Sequence, residues 1–223
     1  MEIGAIVQAR LDSRRLPGKV LRPLHGRPML DYLVEALQHA QYVHRVIVAT
    51  SDRPGDDPIA AFAAERGVEC YRGSAEDVAG RMLAAARSAG LSVFVRANGD
   101  SPLLDPHLVD RGIALYESGV DVVTNTFPRT FPPGESVEVV STETLGRAHA
   151  EMGDPLDHEH VTRFFYRHPE RFVIRSFGAP HSFDGLHLSV DTEEHFAFVS
   201  MLLARMDRPH WTYDVDGLAE LSR

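Results

Sequence analysis

Five short apolar runs punctuate the chain as far as residue 124, at residues 3–9, 45–50, 68–71, 92–96 and 120–124. Each has the length of a strand, and each is apolar at successive positions rather than at every second one. A strand of that kind is stable only when both of its faces are covered. Helical patterns lie between the runs, at residues 29–41, 57–66, 75–89 and 106–118. Asp57-Pro58 and Asp105-Pro106 are start signals, while Gly67 and Gly90 are stops. Strand and helix in alternation predict an α/β fold with a doubly wound, mostly parallel, Rossmann-like sheet.

The remainder is less regular. Strands are expected at residues 136–141, 172–176 and 186–190, with helices at 142–151, 155–167 and 192–206. Residues 125–135 carry three prolines and a glycine, which marks a lid or a small irregular insertion near 125–140. No repeat, low-complexity tract or linker divides the chain, so residues 1–223 are expected to form one domain.

Net charge is −9, which disfavours a nucleic-acid polymer or an anionic membrane as partner. Against that background, Arg10, Arg14, Arg15, Lys19 and Arg22 form a basic island interrupted only by Asp12, and Lys19 is the only lysine among 23 basic residues. A small anion suits such an island better than a polymer does. The one cysteine, Cys70, allows no internal disulfide and supplies no zinc framework, and its place at the end of an apolar segment predicts a buried thiol. No signal-peptide pattern opens the chain and no apolar run has membrane-spanning length, so a cytoplasmic location is expected.

The basic island leaves the carboxyl end of the first strand, where open α/β sheets bind ligands. It is neither a dinucleotide fingerprint nor a Walker loop, since Val20 follows Gly18-Lys19. Planar guanidinium forks and one compact ammonium are groups that can wrap a triphosphate. Asn98-Gly99-Asp100 places a carboxylate at the end of a later strand, a donor suited to Mg²⁺. Asp191, before Thr192-Glu193-Glu194, reads locally first as a helix cap. His158 and His160 are two apart, so on a helix they face different ways and do not predict a zinc site. Arg129, Glu135 and Glu138, around the proline-rich segment, are candidates to touch a polar substrate.

Together these blocks resemble the cytidylyltransferases that make CMP-activated acidic sugars, the 3-deoxy-manno-octulosonate (Kdo) and acylneuraminate enzymes, and above all their short SpsF-type relatives. The stretch Gln8-Ala9-Arg10-Leu11-Asp12-Ser13-Arg14-Arg15-Leu16-Pro17-Gly18-Lys19 is similar to their signature loop. Further matching blocks are Arg72-Gly73-Ser74-Ala75-Glu76-Asp77-Val78, Asn98-Gly99-Asp100-Ser101-Pro102-Leu103, Glu159-His160-Val161-Thr162 and Val190-Asp191-Thr192-Glu193-Glu194. The resemblance implies a nucleotidyltransferase that attaches CMP from CTP to an acidic sugar and releases pyrophosphate. It implies that Ala9, Arg10, Ser13, Arg15 and Lys19 hold the nucleotide, with Arg72, Gly73, Ser74 and Asn98 near base and ribose. Asp100 and Asp191 would ligate Mg²⁺, in place of the local reading of Asp191 as a cap. Lys19, Arg15 and Asp100 would be catalytic, and Arg129, Glu138, His158 and His160 would face the sugar. A homodimer is implied as well. Asn98-Gly99-Asp100 stands where the Kdo enzymes carry Gln-Gly-Asp, so the sugar and the base stay open. A nucleotide-sugar glycosyltransferase and a catalytically silent nucleotide-binding protein are the alternatives.

Overall fold

A computed structural model describes residues 2–223. In chain order its elements are β1 (Ile3–Gln8), the short hairpin β2 (Pro23–Leu24) and β3 (Arg27–Pro28), α1 (Met29–His39), β4 (Arg45–Ser51), α2 (Asp57–Arg66), β5 (Glu69–Gly73), α3 (Val78–Ser88), β6 (Val93–Asn98) and α4 (Pro106–Ala114). Then follow β7 (Val122–Thr124), β8 (Glu138–Ser141), α5 (Thr142–His149), α6 (Pro155–Glu159), α7 (Arg163–Arg167), β9 (Ile174–Ser176), α8 (Glu193–Arg205) and α9 (Val215–Leu221).

Seven strands form one mixed sheet in the order β5-β4-β1-β6-β8-β7-β9. The pairings β5–β4, β4–β1, β1–β6 and β7–β9 are parallel, and β8 runs antiparallel to both β6 and β7. The parallel sheet expected from the apolar runs is therefore present, with one reversed strand within it. Consecutive strands step outward from β1 to β4 and β5, and the chain then returns to place β6 on the other side of β1. That reversal makes the gap between β1 and β6 the switch point, where a crevice opens beyond the strand ends.

The buried side chains explain why the strands read as apolar throughout. Ala5, Val7, Val48, Val93 and Val95 pack on one face with Leu30 and Leu33 of α1, Ile59 of α2, Val109 of α4, Val199 of α8 and Leu218 of α9. Ile6, Ile47, Ala49 and Phe94 point to the other face and meet Met82 and Ala86 of α3, Leu145 of α5 and Phe165 of α7. Neighbouring residues of one strand thus serve opposite cores.

Four expectations are corrected in detail. Cys70 is exposed rather than buried, because β5 is the edge strand and its residues lie largely open. The helix expected over 155–167 is two short helices broken between Glu159 and Arg163, where Thr162 turns its hydroxyl onto Glu138 at 2.7 Å. Residues 186–190 are not a ladder strand, since their amides go to separate loops: Leu188 to the Pro133 carbonyl at 2.7 Å and Val190 to the Asp100 carbonyl at 2.8 Å. Asp57, expected with Pro58 to cap α2, is instead its first residue, and Asp56 at the cap position turns its carboxylate to the Leu11 amide at 2.7 Å and the Ser51 hydroxyl rather than to the helix. It thereby fixes the start of the basic loop. No described helix is long and apolar enough to cross a membrane.

Candidate active site

The loop after β1 begins beside the loop after β6. The Gly99 amide donates to the Gln8 carbonyl at 2.9 Å, and a Cβ on Gly99 would stand 2.9 Å from that same oxygen and 3.1 Å from the Ala9 methyl. Only glycine allows the two loops so near. Farther on, the Gly18 amide returns to the Leu11 carbonyl at 2.9 Å, and Gly18 has φ +72°, a left-handed conformation that glycine adopts cheaply. Closing the loop there turns Lys19 inward, at the head of a short 3-10 turn.

Lys19 is nearly buried, and its ammonium donates to Asp100 Oδ2 at 3.0 Å, to Asp191 Oδ1 at 3.1 Å and to the Val190 carbonyl at 2.6 Å. Arg15 adds a second cation to Asp191 Oδ1 at 2.9 Å. Three chain segments far apart in sequence therefore meet at one nitrogen. Burial pushes the Asp191 carboxyl up, but the Lys19 hydrogen bond and the charges of Lys19 and Arg15 outweigh it and hold it below the usual carboxylate range. The hydrogen bond between Val190 and Asp100 sets the two acidic segments side by side. Thr192, rather than Asp191, caps α8 by accepting from the His195 amide, which leaves the Asp191 carboxylate free of that duty.

A cleft of about 600 Å³ opens over this cluster. Its walls include Ala9, Arg10, Ser13, Arg14, Arg15, Lys19, Asn98, Asp100, Arg129, His160 and Asp191, so most of the sequence-expected site residues are brought together. Seven cations line it, Arg10, Arg14, Arg15, Lys19, Arg81, Arg96 and Arg129, against the three carboxylates Asp100, Glu159 and Asp191. Such an excess favours a polyanionic ligand in a chain that is acidic overall.

Other expected residues lie elsewhere. Glu138 is buried outside the lining and pairs with Arg96, which reaches the cleft and also donates to Gln8 Oε1 at 3.2 Å and Asn98 Oδ1 at 3.0 Å. Arg72 is spent on the carbonyls of Ser51 at 3.0 Å and Arg53 at 2.9 Å and on Asp57, while Gly73 and Ser74 stand outside the lining too. His158 turns to Asp77 rather than to the cleft. Glu135 is fully buried, with its carboxylate on the Asp105 amide.

Three side chains of the cleft were given no site role from the sequence. Glu159 holds Arg10 through both carboxylate oxygens, at 2.7 and 3.2 Å. Arg96 is the arm of the Glu138 pair. Arg81, in α3, is 3% exposed and donates to the Ser74 carbonyl, yet among the described residues its Nε has no partner and no carboxylate pairs with it. Burial, and after it the charge of Arg10, pull its pKa below that of a free guanidinium. The signal was available: Arg81 follows Val78 by three and precedes Ala85 by four, on the apolar stripe of α3. A charge on a core-facing stripe needs a reason, and a ligand in the adjoining cleft supplies one.

Comparison with known proteins fits this geometry. A cytidylyltransferase family model matches residues 4–210, nearly the whole chain. The chain belongs to the cytidylyltransferase family. Among its relatives, the spore coat polysaccharide biosynthesis protein SpsF of Bacillus subtilis is 33% identical over 213 residues, covering 92% of this chain and 88% of SpsF. A cytidylyltransferase of Leptospira borgpetersenii superposes with a TM-score of 0.94 at 27% identity, over 99% of this chain and 93% of that one. CMP:2-keto-3-deoxy-manno-octonic acid synthetase, solved with CTP, shares the fold at a TM-score of 0.70 and 18% identity, over 92% of this chain and 99% of that one. This cytidylyltransferase is thus a nucleotidyltransferase.

Proposed function

We propose that this cytidylyltransferase transfers CMP from CTP to an acidic sugar of the Kdo or sialic-acid type, with release of pyrophosphate, in the making of a surface polysaccharide. The observation that carries the reading is the convergence of Asp100 and Asp191 on the Lys19 ammonium beneath a cation-rich cleft. In this reading the triphosphate lies along Arg10, Ser13, Arg15 and Lys19, with the ribose and base toward Asn98 and Arg81. Arg72, Gly73 and Ser74 act from behind that wall, Ser74 by holding Arg81 through its carbonyl. Arg129, hydrogen-bonded to Ser136 at 3.0 Å, and His160 face the acceptor side. The CTP-bound synthetase that shares the fold, and the polysaccharide named for SpsF, agree with the nucleotide and the product class.

The donor set fits a hard divalent cation. Two partly exposed carboxylates within reach of one ammonium can each give an oxygen, and substrate phosphate and water complete the shell, as Mg²⁺ prefers. When bound at Asp100 and Asp191, Mg²⁺ would neutralise phosphate charge and favour ionisation of the attacking hydroxyl. Lys19 and Arg15 already sit at those carboxylates, so they stand where negative charge gathers as pyrophosphate departs. Their fixed positions cost no reorganisation during the reaction, which is the main source of such stabilisation. Arg96, held by Glu138, keeps Gln8 and Asn98 in place at the floor. Positioning and charge neutralisation are the chain's contribution. The resemblance also carries a cytoplasmic homodimer, which sedimentation of the purified chain tests.

A pyrophosphate-release assay decides the matter, with four nucleoside triphosphates set against a panel of acidic sugars and with Asp100→Ala as control. Release is expected with CTP and one sugar, dependent on Mg²⁺ and lost in Asp100→Ala. A chain that binds CTP but releases nothing with any sugar, or a variant that turns over like the parent, overturns the reading.

A further inference from the structure

His158 leaves the cleft to meet two other side chains. Its Nδ1 lies 2.9 Å from Asp77 Oδ1, and His149 Nε2 lies 2.8 Å from Asp77 Oδ2. The two rings stand edge to face, 5.3 Å between centroids, and the metal-capable atoms of all three residues lie within 4.8 Å of one another. The residues come from separate elements: Asp77 caps α3, His149 ends α5, and His158 lies in α6. None of them lines the cleft.

The hydrogen bonds of His158 leave one nitrogen in need of a cation. Its Nε2 lies 3.2 Å from the Met152 carbonyl, which only accepts, so Nε2 carries the proton. In the neutral ring Nδ1 is then a bare lone pair, and it faces a carboxylate oxygen that is also only an acceptor. A second ring proton or a metal ion between them resolves the conflict. An imidazole that donates one N–H to a backbone carbonyl while presenting the other nitrogen inward has the orientation of a metal-bound histidine. Gly80 adds an independent observation. It lies in the first turn of α3, where its amide donates to Asp77 Oδ1 at 2.8 Å. A Cβ there would fall 2.2 Å from Asp77 Oδ2 and 2.9 Å from His149 Nε2, so the sequence keeps open the spot where these two donors converge.

We propose that Asp77, His149 and His158 form a zinc-class divalent-metal site, tying α3, α5 and α6 together behind the cleft wall and separate from the Asp100–Asp191 pair. Two imidazoles and one carboxylate, each about a quarter to a third exposed, leave a fourth position for water, a set that suits Zn²⁺ and not Mg²⁺. Val78 and Glu159, the chain neighbours of Asp77 and His158, do line the cleft, so the metal would stiffen its wall.

The test uses the whole chain, stripped with a chelator, equilibrated with Zn²⁺ alone and dialysed. Zinc content is expected to be about one ion higher in the parent than in His149→Ala or His158→Ala. Gly80→Ala, which removes no ligand, should lose the same ion while circular dichroism shows it folded. His187 and His195 also approach Asp191, and any zinc they hold remains in all three variants. Thermal melting should rise with zinc in the parent and by less in each variant. Loading with Co²⁺ gives a second readout, a visible band of a low-coordinate site that is absent from His158→Ala. Equal zinc content and equal cobalt spectra in parent and His149→Ala/His158→Ala overturn the proposal.

Discussion

Glu135 and Glu138 are three residues apart and both buried, yet the molecule treats them in opposite ways. Glu138 faces Arg96 and accepts hydrogen bonds from Thr162 at 2.7 Å and Tyr166 at 2.6 Å. Burial alone would push its carboxyl up, but the charge of Arg96 and those hydrogen bonds hold it below the ordinary range, so it stays ionised. Glu135 has only the Asp105 amide on one oxygen, at 2.9 Å, and no partner on the other. Burial raises its carboxyl well above the usual value, and burial likewise pushes Asp105 up to about 6. Partners, more than depth, decide the charge of a buried group. The ionised glutamate braces an arginine of the cleft, and the other, its carboxyl raised by burial, fastens the insertion to the start of α4.

Breaking the charged member should have the largest effect. Glu138→Ala leaves Arg96 half-buried without its carboxylate and should cost about 3–5 kcal/mol of stability, read by urea unfolding. Glu135→Ala removes a carboxyl that has no charged partner among the described residues and should cost distinctly less. Equal losses would mean that the charge state does not distinguish the two sites.

Lys19 tests the same idea where chemistry is proposed. Lys19→Ala should lower pyrophosphate release on the order of 10²–10³-fold, the scale of removing one transition-state donor. Urea unfolding checks that the chain remains folded. A loss below about threefold would leave Lys19 as a structural counter-ion only.

The pH profile sharpens the comparison next. A carboxyl whose folded pKa is raised binds its proton more tightly in the folded chain. The stability it contributes is complete below its unfolded value, near 3.8 for Asp105, and is lost as pH rises through about 6. The shift corresponds to about 2–3 kcal/mol for Asp105. Glu135→Gln removes one titrating group and its repulsion of Asp105. Between pH 5 and pH 8 the variant should therefore gain stability relative to the parent, because it no longer loses what the raised carboxyl loses as it ionises. Parallel profiles would show that Glu135 titrates in the folded chain as it does in water.

The same contrast explains what could be read in advance. Alternating apolar runs revealed the parallel core because strands covered on both faces leave a plain mark in sequence. Gly18-Lys19, Asp100 and Asp191 could be singled out because each stands at a turn after such a run, although only the fold joins them at one nitrogen. The environment of Glu138 could not be read, because Arg96, Thr162 and Tyr166 reach it from other elements. Residues 186–190 look like a strand because their apolar alternation is real, but their partners are the loops at Pro133 and Asp100. Gly134, at φ +106°, packs against the Leu188 backbone, and nothing local announces that approach. His158 and Arg72 were placed by resemblance, and their contacts with Asp77 and with the Ser51 and Arg53 carbonyls are set by residues distant in sequence.

The smallest expected effect separates two neighbours in the basic loop. Arg15 is tied to Asp191, whereas Arg14, exposed on the same cleft, makes no ion pair among the described residues. A free, solvated guanidinium gains only a screened attraction to a phosphate, worth about 0.2–1 kcal/mol. Arg14→Ala should therefore raise the KM for CTP by about two- to fivefold, leave kcat unchanged and lose most of its effect in high salt. Arg15→Ala should lower kcat as well, because it removes a cation from the carboxylate pair itself. If the Arg14 variant also lost kcat, the loop would act through both arginines at the reacting phosphate, and the division between a steering cation and a clamping one would fail.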